Sequence, residues 1–378
     1  MQREELQAWL RLILTPGVGD QSARKLLAAF GLPDAIFRQS RDALRQLVST
    51  AQAEDLLTRP AALTLQLETT WNWLQEDPAR RRVMVLGDTD YPASLLLIED
   101  PPLLLYLMGR LDLPLDSSAS LAVVGSRNPT PQGGLNARQF SKALCQAGLT
   151  IVSGLAVGVD GAAHEGALEA APAAPRGLAT IAVVGTGLDR VYPGSHLQLS
   201  HRIAEQGLLI SEYPLGTPPL AANFPRRNRL IAGLSCATLV VEAALKSGSL
   251  ITARLCAEQG KEVFAVPGSI HSTLSHGCHA LIRQGAKLVE SAQDVLEELP
   301  GVSGPRAPPS GIPDSGADYT DSENSLLDAM GFDPVSLDAL QARTGLATAQ
   351  LQARLMTLEL DGNVARLAAG LFQRLVQT

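Results

Sequence analysis

The feature that most constrains this chain is a series of nine short apolar runs that alternates with helical stretches. The runs occupy residues 83–86, 103–107, 121–124, 150–152, 180–184, 208–210, 238–241, 263–266 and 287–289. Uninterrupted Val, Ile and Leu are typical of strands that are covered on both faces. Alternation with helices implies right-handed crossovers and a doubly wound sheet. We therefore predict an extended Rossmann-like α/β domain with a mainly parallel sheet over residues 83–300.

Helical segments precede this α/β domain. In residues 1–82, apolar side chains such as Leu6, Leu10 and Leu14 recur on one helix face. The turn Gly17-Val18-Gly19 is similar to the hairpin of a helix-hairpin-helix or SAM-like domain. Such a turn is either a tight connection between helices or a donor of backbone N–H groups to a phosphate. The prediction is an N-terminal helical domain over residues 1–82.

The C-terminal part divides into a linker and a small domain. Residues 301–322 contain four Gly and four Pro with almost no large apolar side chain, which is typical of a flexible linker. Residues 323–378 follow with three helical segments and a hairpin around Asp361-Gly362-Asn363, which predicts a winged helix. Its recognition helix, residues 348–360, offers only Arg354 as a cation. We expect this domain to bind a partner protein, or only to add stability, rather than to be the main reader of DNA.

The distribution of charge indicates where a polyanion would bind. The whole chain carries a net charge of −7, which argues against a histone-like coat for nucleic acid. Residues 121–230 nevertheless hold nine Lys and Arg against six Asp and Glu, a local charge of +3. Residues 320–378 hold four against seven, a local charge of −3. Polyanion binding is therefore expected in the middle of the chain and not in the C-terminal domain.

Signals for export or membrane insertion are not evident in the sequence. Arg3, Glu4 and Glu5 stand where a secretory signal needs an apolar run. No uncharged apolar stretch reaches the length of about 18 residues that a membrane span requires. The four Cys form no CxxC pair, which argues against a zinc ribbon and a disulfide framework. A cytoplasmic, reducing location without a membrane partner is expected.

Small residues follow three successive strands of the predicted sheet, where an open α/β sheet binds its ligands. Glycine lets the backbone approach a ligand closely, and Arg127 offers a bidentate donor to a phosphate. An ion pair on a turn is the competing interpretation for Arg127. The candidate DNA contacts in these loops are Gly125, Ser126, Arg127, Ser153, Gly154, Ala156, Gly158, Gly185, Gly187 and Arg190. GxGxxG spacing does not occur in the second loop, so no dinucleotide cofactor is expected.

The sharpest signal is the segment 224–233, which reads FPRRNRLIAG. Three arginines within four residues repel one another unless an anion is near, and Phe224 adds an aromatic face beside them. Stacking surface next to phosphate contacts is how single-stranded nucleic acid is held without a base-specific code. A solvated charge cluster at a helix start is the alternative. The candidate contacts are Phe224, Arg226, Arg227, Asn228 and Arg229, with Lys246, Ser247 and Ser249 at a later helix N-terminus.

Catalytic and metal-binding residues are not predicted. Glu242 is the one obvious catalytic carboxylate near these loops, and no base or nucleophile pairs with it in the sequence pattern. His271, His276, Cys278 and His279 cluster near residue 275, but their spacing matches no recognised metal pattern. We expect these four residues to pack or cap local structure.

Taken together, the motifs resemble the DNA-processing protein A (DprA, also Smf) family over about residues 83–300. The resemblance rests on the order and spacing of eight blocks: GSR from Gly125, SGLAVGVD from Ser153, GTGLD from Gly185 with Tyr192-Pro193, SEYP from Ser211, FPRRNRLIAG from Phe224, VEA from Val241, SGSLITA from Ser247 and AVPG from Ala265. His279 departs from the family pattern, in which Asn is expected at that position.

The family resemblance implies a bacterial protein of natural transformation. Such proteins bind and protect incoming single-stranded DNA and load the RecA recombinase onto it, and they do so without catalysis or a cofactor. It further implies a homodimer, for which the apolar segment Ala280-Leu281-Ile282 is a weak hint in the sequence. Single-strand-binding protein is a further candidate partner.

Two other functions compete with this one. The first is a Rossmann-like hydrolase of a nucleotide-derived ligand that would use Glu242 and Arg127; that group generally carries a PGGxGT loop, which does not occur here. The second is a regulator of duplex DNA that acts through the winged helix, against which the local charge of −3 argues because phosphate contacts dominate duplex affinity.

Overall fold

The computed structural model describes residues 1–170, 177–299, 321–367 and 370–376. The predicted linker over residues 301–322 lies, except for its last two residues, outside the described part of the chain. The next described helix begins at Asp321. None of the described helices combines the length and apolarity needed to cross a membrane.

Six helices form the N-terminal part, as the periodicity of residues 1–82 predicts. They are α1 (Arg3–Leu14), α2 (Asp20–Phe30), α3 (Pro33–Ile36), α4 (Arg41–Arg45), α5 (Thr50–Leu57) and α6 (Leu63–Glu76). Leu6 and Leu10 of α1 are fully buried together with Leu26 and Leu56, so the apolar faces of three helices meet in one core. Trp73, near the end of α6, packs against the central domain.

The nine apolar runs of the sequence all form strands of one sheet in the described residues. The strands are β1 (Arg81–Val85), β2 (Leu104–Gly109), β3 (Ser120–Val124), β4 (Thr150–Ser153), β5 (Thr180–Val183), β6 (Leu208–Ser211), β7 (Ala237–Val240), β8 (Glu262–Ala265) and β9 (Lys287–Leu288). Their order is β1-β2-β6-β5-β4-β3-β7-β8-β9. β3 to β9 pair in parallel, whereas β2 is antiparallel to both β1 and β6. The mainly parallel sheet is confirmed, with an antiparallel extension at one edge.

Helices cover both faces of this sheet. They are α7 (Ala93–Leu96), α8 (Pro131–Gln146), α9 (Val159–Ala170), α10 (Leu197–Gln206), α11 (Asn223–Gly233), α12 (Ser249–Glu258), α13 (His276–Arg283) and α14 (Ala292–Glu298). In β3, successive side chains are buried on opposite faces of the sheet. Leu121 and Val123 belong to one apolar core, and Ala122 and Val124 belong to the other. A strand that is buried on both faces cannot alternate polar with apolar residues.

The C-terminal domain is a winged helix, as predicted. It consists of α15 (Asp321–Met330), β10 (Val335–Ser336), α16 (Leu337–Thr344), α17 (Thr348–Leu360), β11 (Val364–Arg366) and β12 (Leu371–Arg374), with the strand order β10-β12-β11. Leu340 and Leu355 are buried in its own small core. The domain touches the sheet domain at the start of α8, where the Gln132 amide exchanges hydrogen bonds with the backbone of Val376, 3.0 Å to its N–H and 3.4 Å to its carbonyl.

Candidate nucleic-acid interface

The candidate site lies where the strand order reverses. β3 has β4 on one side and β7 on the other, so the loops that leave β3 and β7 diverge and open a crevice at the carboxyl ends of the strands. The crevice has a volume of about 700 Å³. Of the residues that the sequence singled out, it is lined by Gly125, Ser126, Arg127, Ala156, Phe224, Arg227, Asn228, Lys246, Ser247 and Ser249.

Arg127 stands exposed at this crevice on a loop whose backbone is tightly held. Its guanidinium carbon lies 5.8 Å from the centre of the Phe224 ring, within the range of a cation–π interaction. Val159 N–H donates to the Ser126 carbonyl at 3.0 Å. Gly158 has a φ of +84° and lies so close to the loop that a Cβ would overlap its backbone. The loop therefore presents a cation over an aromatic ring.

Two aromatic rings form a platform beside Arg127. The rings of Phe224 and Tyr192 are 5.5 Å apart between centres and tilted by 43°. Gly185 lies under this platform, because a Cβ there would approach the Phe224 ring to 3.2 Å. Tyr192 is half exposed. A tilted pair of rings, one half exposed and the other partly buried, next to a cation provides stacking surface for a flat, uncharged group such as a nucleobase.

Arg227 lies at the floor of the crevice and is almost fully buried. It donates to the Val183 carbonyl, while its Nε has no hydrogen-bond partner among the described residues. Burial lowers the pKa of Arg227, and the nearby Asp160 carboxylate opposes that shift. Gly154 leaves room for this guanidinium, which a Cβ would overlap. Arg227, the second arginine of the FPRRNR motif, is thus a buried, structurally held part of the crevice floor.

The other two arginines of the motif lie on the opposite face of α11. Arg229 bonds both oxygens of Glu212, at 2.7 and 2.6 Å, and the Asp100 carbonyl at 2.9 Å. Arg226 pairs at 2.5 Å with Asp20 of the N-terminal domain. The sequence analysis expected an anion near the three arginines of the motif. For Arg226 and Arg229, carboxylates of this chain are that anion. Because a helix turns by about 100° per residue, neighbouring arginines cannot all face one crevice.

A buried carboxylate shapes the loop that follows β4. Asp160 accepts from the N–H groups of Gly154 and Ala156, at 3.1 and 3.3 Å. Leu155 between them has a φ of +56°, a left-handed conformation that costs a non-glycine residue about 1 kcal/mol. Burial raises the pKa of Asp160, while Arg227 and the two N–H groups act in the other direction. The two hydrogen bonds on either side of Leu155 hold the strained turn in place.

The loop before α12 closes the far side of the crevice. Lys246 is exposed there, and the hydroxyls of Ser247 and Ser249 lie 2.7 Å apart. Asn228 of α11 donates to the Gly248 carbonyl at 3.2 Å and joins this loop to the FPRRNR helix. The loop thus offers a cation and two hydroxyls at a helix N-terminus, which are donors suited to a phosphate.

The remaining candidates lie outside the lining of the crevice. Ser153 donates to the Val123 carbonyl at 2.6 Å and so ties two strands together. Gly154, Gly158 and Gly185 make room for Arg227, the Arg127 loop and Phe224, as described above. Gly187 packs against the Pro214 carbonyl, and Arg190 lies exposed beside Asp189. Arg226 and Arg229 are engaged in their ion pairs.

Glu242, the candidate catalytic carboxylate, is already engaged. One oxygen accepts from the Thr130 hydroxyl at 2.6 Å and the other from the Thr130 N–H at 2.9 Å. Burial raises the pKa of Glu242, and the two bonds from Thr130 act against that shift. A carboxylate that caps a helix in this way is not placed as a free general base.

Some residues of the site escaped the sequence analysis. Tyr192, Asn128 and Pro219 line the crevice in addition to the predicted residues. Tyr192-Pro193 belongs to one of the blocks that resemble the family. An aromatic residue shortly after a glycine-containing loop was therefore the signal that could have marked Tyr192 as a site residue. No local pattern distinguishes Asn128 or Pro219 from ordinary loop residues.

Metal ligands do not come together in the part of the chain that the structure describes, since no group of three His, Cys, Asp or Glu side chains is placed to hold an ion. His276 and His279 each contact a backbone carbonyl instead, Ile270 and Gly268 respectively, both at 3.0 Å. These contacts agree with the packing and capping roles that the sequence indicates.

The sheet is doubly wound and has a crevice where the strand order reverses. In the sequence, this sheet domain follows a helical domain and precedes a winged helix. These features define a multidomain protein of the Rossmann-like class. The chain belongs to the DNA-processing protein A (DprA/Smf) family. The family description "DNA recombination-mediator protein A" matches residues 82–300, and "DprA winged helix domain" matches residues 305–370.

Relatives of known sequence and structure extend this comparison. Protein Smf of Escherichia coli K12 is 38% identical over 375 residues, which cover 97% of this chain and 95% of that protein. DNA processing protein DprA of Streptococcus pneumoniae is 48% identical over 212 residues, 56% of this chain and 72% of that protein. The solved structure of the S. pneumoniae protein superposes with a TM-score of 0.62 at 36% identity and covers 79% of this chain and 98% of that one. The DprA structure from Helicobacter pylori, solved to describe its single-stranded DNA binding mode, has a TM-score of 0.50 at 32% identity and covers 57% of this chain and 94% of that one.

Proposed function

We propose that this protein binds and protects incoming single-stranded DNA during natural transformation and loads the RecA recombinase onto it, without catalysing a reaction. One observation carries the proposal: Arg127 stands 5.8 Å from the Phe224 ring, which itself lies 5.5 Å from Tyr192 at the strand reversal point. A cation beside stacking surface binds a phosphate and a base at once. Membership of the family supports the biological setting, and the H. pylori relative is described as a binder of single-stranded DNA.

The site favours a single strand over a duplex. Bases in a duplex are stacked on each other and cannot lie on Phe224 and Tyr192, whereas a single strand offers every base as a flat surface. Every base has such a surface, so binding is largely independent of sequence. The cations at the crevice, Arg127 and Lys246, then contact the phosphates.

The engagement of Glu242 supports a non-catalytic function over the rival hydrolase. Both of its oxygens accept hydrogen bonds from Thr130, and the crevice presents no paired base and nucleophile among its described residues. A hydrolase assay with nucleoside monophosphates separates the two: release of base or phosphate that Glu242→Gln abolishes would establish the enzyme.

Assembly into a homodimer belongs to the same proposal. Leu250 and Ile251 of α12 and Ala280 and Leu281 of α13 line an apolar groove of about 510 Å³ on the outer face of the sheet domain. We assign the dimer contact to this groove, with RecA and single-strand-binding protein as further partners. Residues 83–300 alone are then expected to sediment as a dimer at tens of micromolar, and a monomer at that concentration would count against it.

The test of DNA binding is a salt-dependent titration with a dT oligonucleotide, blunt duplex and a mononucleotide. Arg127→Ala is expected to weaken single-strand binding by about 1.5–3 kcal/mol and to reduce the salt slope by about 0.7. Phe224→Ala is expected to cost about 1–3 kcal/mol with an unchanged slope, because a stacking contact releases no counterion.

Matched controls lie outside the crevice. Arg41 is exposed on the N-terminal domain and Phe332 is exposed on the winged helix, so Arg41→Ala and Phe332→Ala are expected to leave binding unchanged. Wild-type affinity of the Arg127→Ala variant at physiological salt, or equal affinity of the wild type for duplex and single strand, would refute the proposed site.

A further inference from the structure

The loop that carries Arg127 is held at its far end by a residue that follows another strand. Residues 125–130 connect β3 to α8, and α8 begins at Pro131. Glu242, which follows β7, accepts from Thr130 N–H at 2.9 Å and from the Thr130 hydroxyl at 2.6 Å. That hydroxyl in turn accepts from Gly133 N–H at 3.0 Å. The carboxylate and the first turn of α8 therefore form one connected set of hydrogen bonds.

Two glycines, Gly133 and Gly125, leave the space that Glu242 occupies. A Cβ on Gly133 would overlap the Glu242 carboxylate, and a Cβ on Gly125 would come within 2.9 Å of the Glu242 carbonyl oxygen. Glu242 thus contacts the loop at both ends, through its backbone at Gly125 and through its side chain at Thr130. Neither glycine has a positive φ, so close approach accounts for the absence of a side chain: to the Glu242 carboxylate at Gly133, and to Val159 at 2.7 Å together with the Glu242 carbonyl at Gly125.

The position of the carboxylate also affects where an anion can bind. It lies at the N-terminus of α8, a helix of 16 residues, where the helix dipole and free N–H groups favour negative charge. Because Glu242 already occupies that place, a DNA phosphate cannot use it. Phosphate binding on this side of the crevice is left to Arg127.

We propose that Glu242 is a positioning residue for DNA binding, which holds loop 125–130 so that the Arg127 guanidinium stands over Phe224. The inference rests on the proposed DNA site, since it concerns how Arg127 is presented there. It goes beyond that site by giving a role to the carboxylate that the rival hydrolase would have used as a catalyst.

The sign of a mutational effect separates this role from simple electrostatics. A carboxylate near a polyanion repels it, so removal of the charge alone would strengthen DNA binding. Removal of a positioning residue releases the loop and weakens binding instead. A residue that only stabilises the fold would lower the unfolding temperature without any specific link to Arg127.

The experiment uses the full-length protein and a dT oligonucleotide over a range of salt concentrations. Glu242→Ala is expected to weaken binding about 5–20-fold and to lower the salt slope by about 0.7, the value of one phosphate contact on a single strand. Glu242→Gln, which keeps an acceptor for Thr130, is expected to fall between this variant and wild type. Glu258→Ala removes an exposed carboxylate on α12 and serves as the charge control, with unchanged affinity expected.

A double-mutant cycle with Arg127 gives the decisive readout. If Glu242 acts through Arg127, the variant with both Glu242→Ala and Arg127→Ala binds within about twofold of Arg127→Ala alone. Additive losses, or tighter binding by Glu242→Ala, would overturn the proposal. Thr130→Val and Thr130→Ser provide a milder pair should Glu242→Ala fold poorly: only the serine, which keeps the hydroxyl, is expected to bind like wild type, and equal affinities of the pair would also overturn it.

The same measurements distinguish failure of this inference from failure of the proposed function. If Arg127→Ala binds DNA with wild-type affinity, the proposed DNA site itself is refuted. A clear loss in Arg127→Ala together with an unaffected Glu242→Ala would leave the DNA site in place and refute only the positioning role.

Discussion

The three arginines of α11 differ in role because their neighbours differ. Arg227 forms the floor of the crevice, Arg226 joins α11 to the N-terminal domain, and Arg229 fixes the loop after β6 through Glu212. Two of the three therefore hold the helix in place while one faces the candidate ligand. A motif that looks uniformly basic in the sequence is mostly a set of internal ion pairs.

The Arg229–Glu212 pair yields a prediction about stability. Only 11% of the Arg229 side chain and 7% of the Glu212 side chain are exposed, so removal of the Glu212 charge leaves Arg229 buried with only the longer ion pair to Asp100, at 3.6 Å. Glu212→Gln is expected to lower the free energy of unfolding by about 3 kcal/mol. Urea unfolding followed by circular dichroism measures this change. Glu258→Gln breaks the exposed pair with Arg254 and is expected to cost no more than about 0.5 kcal/mol; equal costs would contradict the prediction.

His164 makes the stability depend on pH. It is fully buried, and Thr180, whose hydroxyl donates to the Ile151 carbonyl, accepts from its Nδ1–H at 2.7 Å. Burial lowers the pKa of His164 to about 3, from 6.5 in the unfolded chain. The unfolded state thus binds a proton that the folded state does not bind, so this contribution is complete above about pH 6.5 and is lost as the pH falls from there toward about 3.

The variant His164→Asn isolates that contribution, because the Asn amide retains a donor for Thr180 and does not titrate. Between about pH 7.5 and pH 5, the wild type is expected to lose about 2 kcal/mol more stability than the variant. Urea unfolding at the two pH values is the measurement. Parallel losses in the two proteins would show that His164 does not set this dependence.

At the scale of elements, α8 and α9 are packed unusually close behind the crevice. Gly166 of α9 lies against the Arg138 carbonyl of α8, where a Cβ would overlap the backbone. α9 starts at the Asp160 turn, and α8 starts at the end of the Arg127 loop. The contact between the two helices therefore sets the spacing of two loops of the crevice.

A matched pair of glycine substitutions tests this packing. Gly166→Ala is expected to lower the free energy of unfolding by about 3 kcal/mol, because two backbones must separate. Gly134, on α8, has open space around its Cα, so Gly134→Ala is expected to raise it by about 0.5–1 kcal/mol through helix propensity. Thermal unfolding of both variants measures the difference, and a neutral Gly166→Ala would show that the helices can separate at little cost.

At the scale of the whole molecule, the winged helix contributes little positive charge to the proposed DNA site. The exposed face of α17 carries Gln352, Met356 and Leu360, which offer no cation to a phosphate. The domain contacts the sheet domain through Val376 and Gln132, in the first turn of α8. The lack of a cation on the exposed face of α17 favours an interaction or accessory role for the domain.

Deletion of residues 301–378 tests that role. Single-strand affinity is expected to stay within about threefold of the full-length value, because the proposed phosphate contacts lie in the sheet domain. Titration of the truncated protein with the dT oligonucleotide gives the answer. A hundredfold loss, on the order of several phosphate contacts, would assign the winged helix a direct part in DNA binding.

Prediction from the sequence succeeded where a pattern has one physical cause. The runs at residues 121–124 and 238–241 predicted buried strands, because only a strand covered on both faces tolerates continuous apolar residues. The strand order and the antiparallel edge of β1 and β2 did not follow from any local pattern. Tyr192 belongs to the recognised Tyr192-Pro193 block, but its contact with Phe224 could not be predicted, since that contact joins loops far apart in the chain.

The sequence by itself determined the class of fold, the domain order and several of the loops that meet at the crevice, because hydrophobic periodicity and glycine spacing act over a few residues; loop 185–190 lies outside the lining. Only the tertiary structure decided which side chains face the crevice. Arg226 and Arg227 are adjacent in the chain, yet one pairs with Asp20 of a distant helix and the other lies beneath the Arg127 loop. The physical reason is that partners such as Asp20 and Glu212 are chosen by the packing of elements, and packing depends on the whole chain at once.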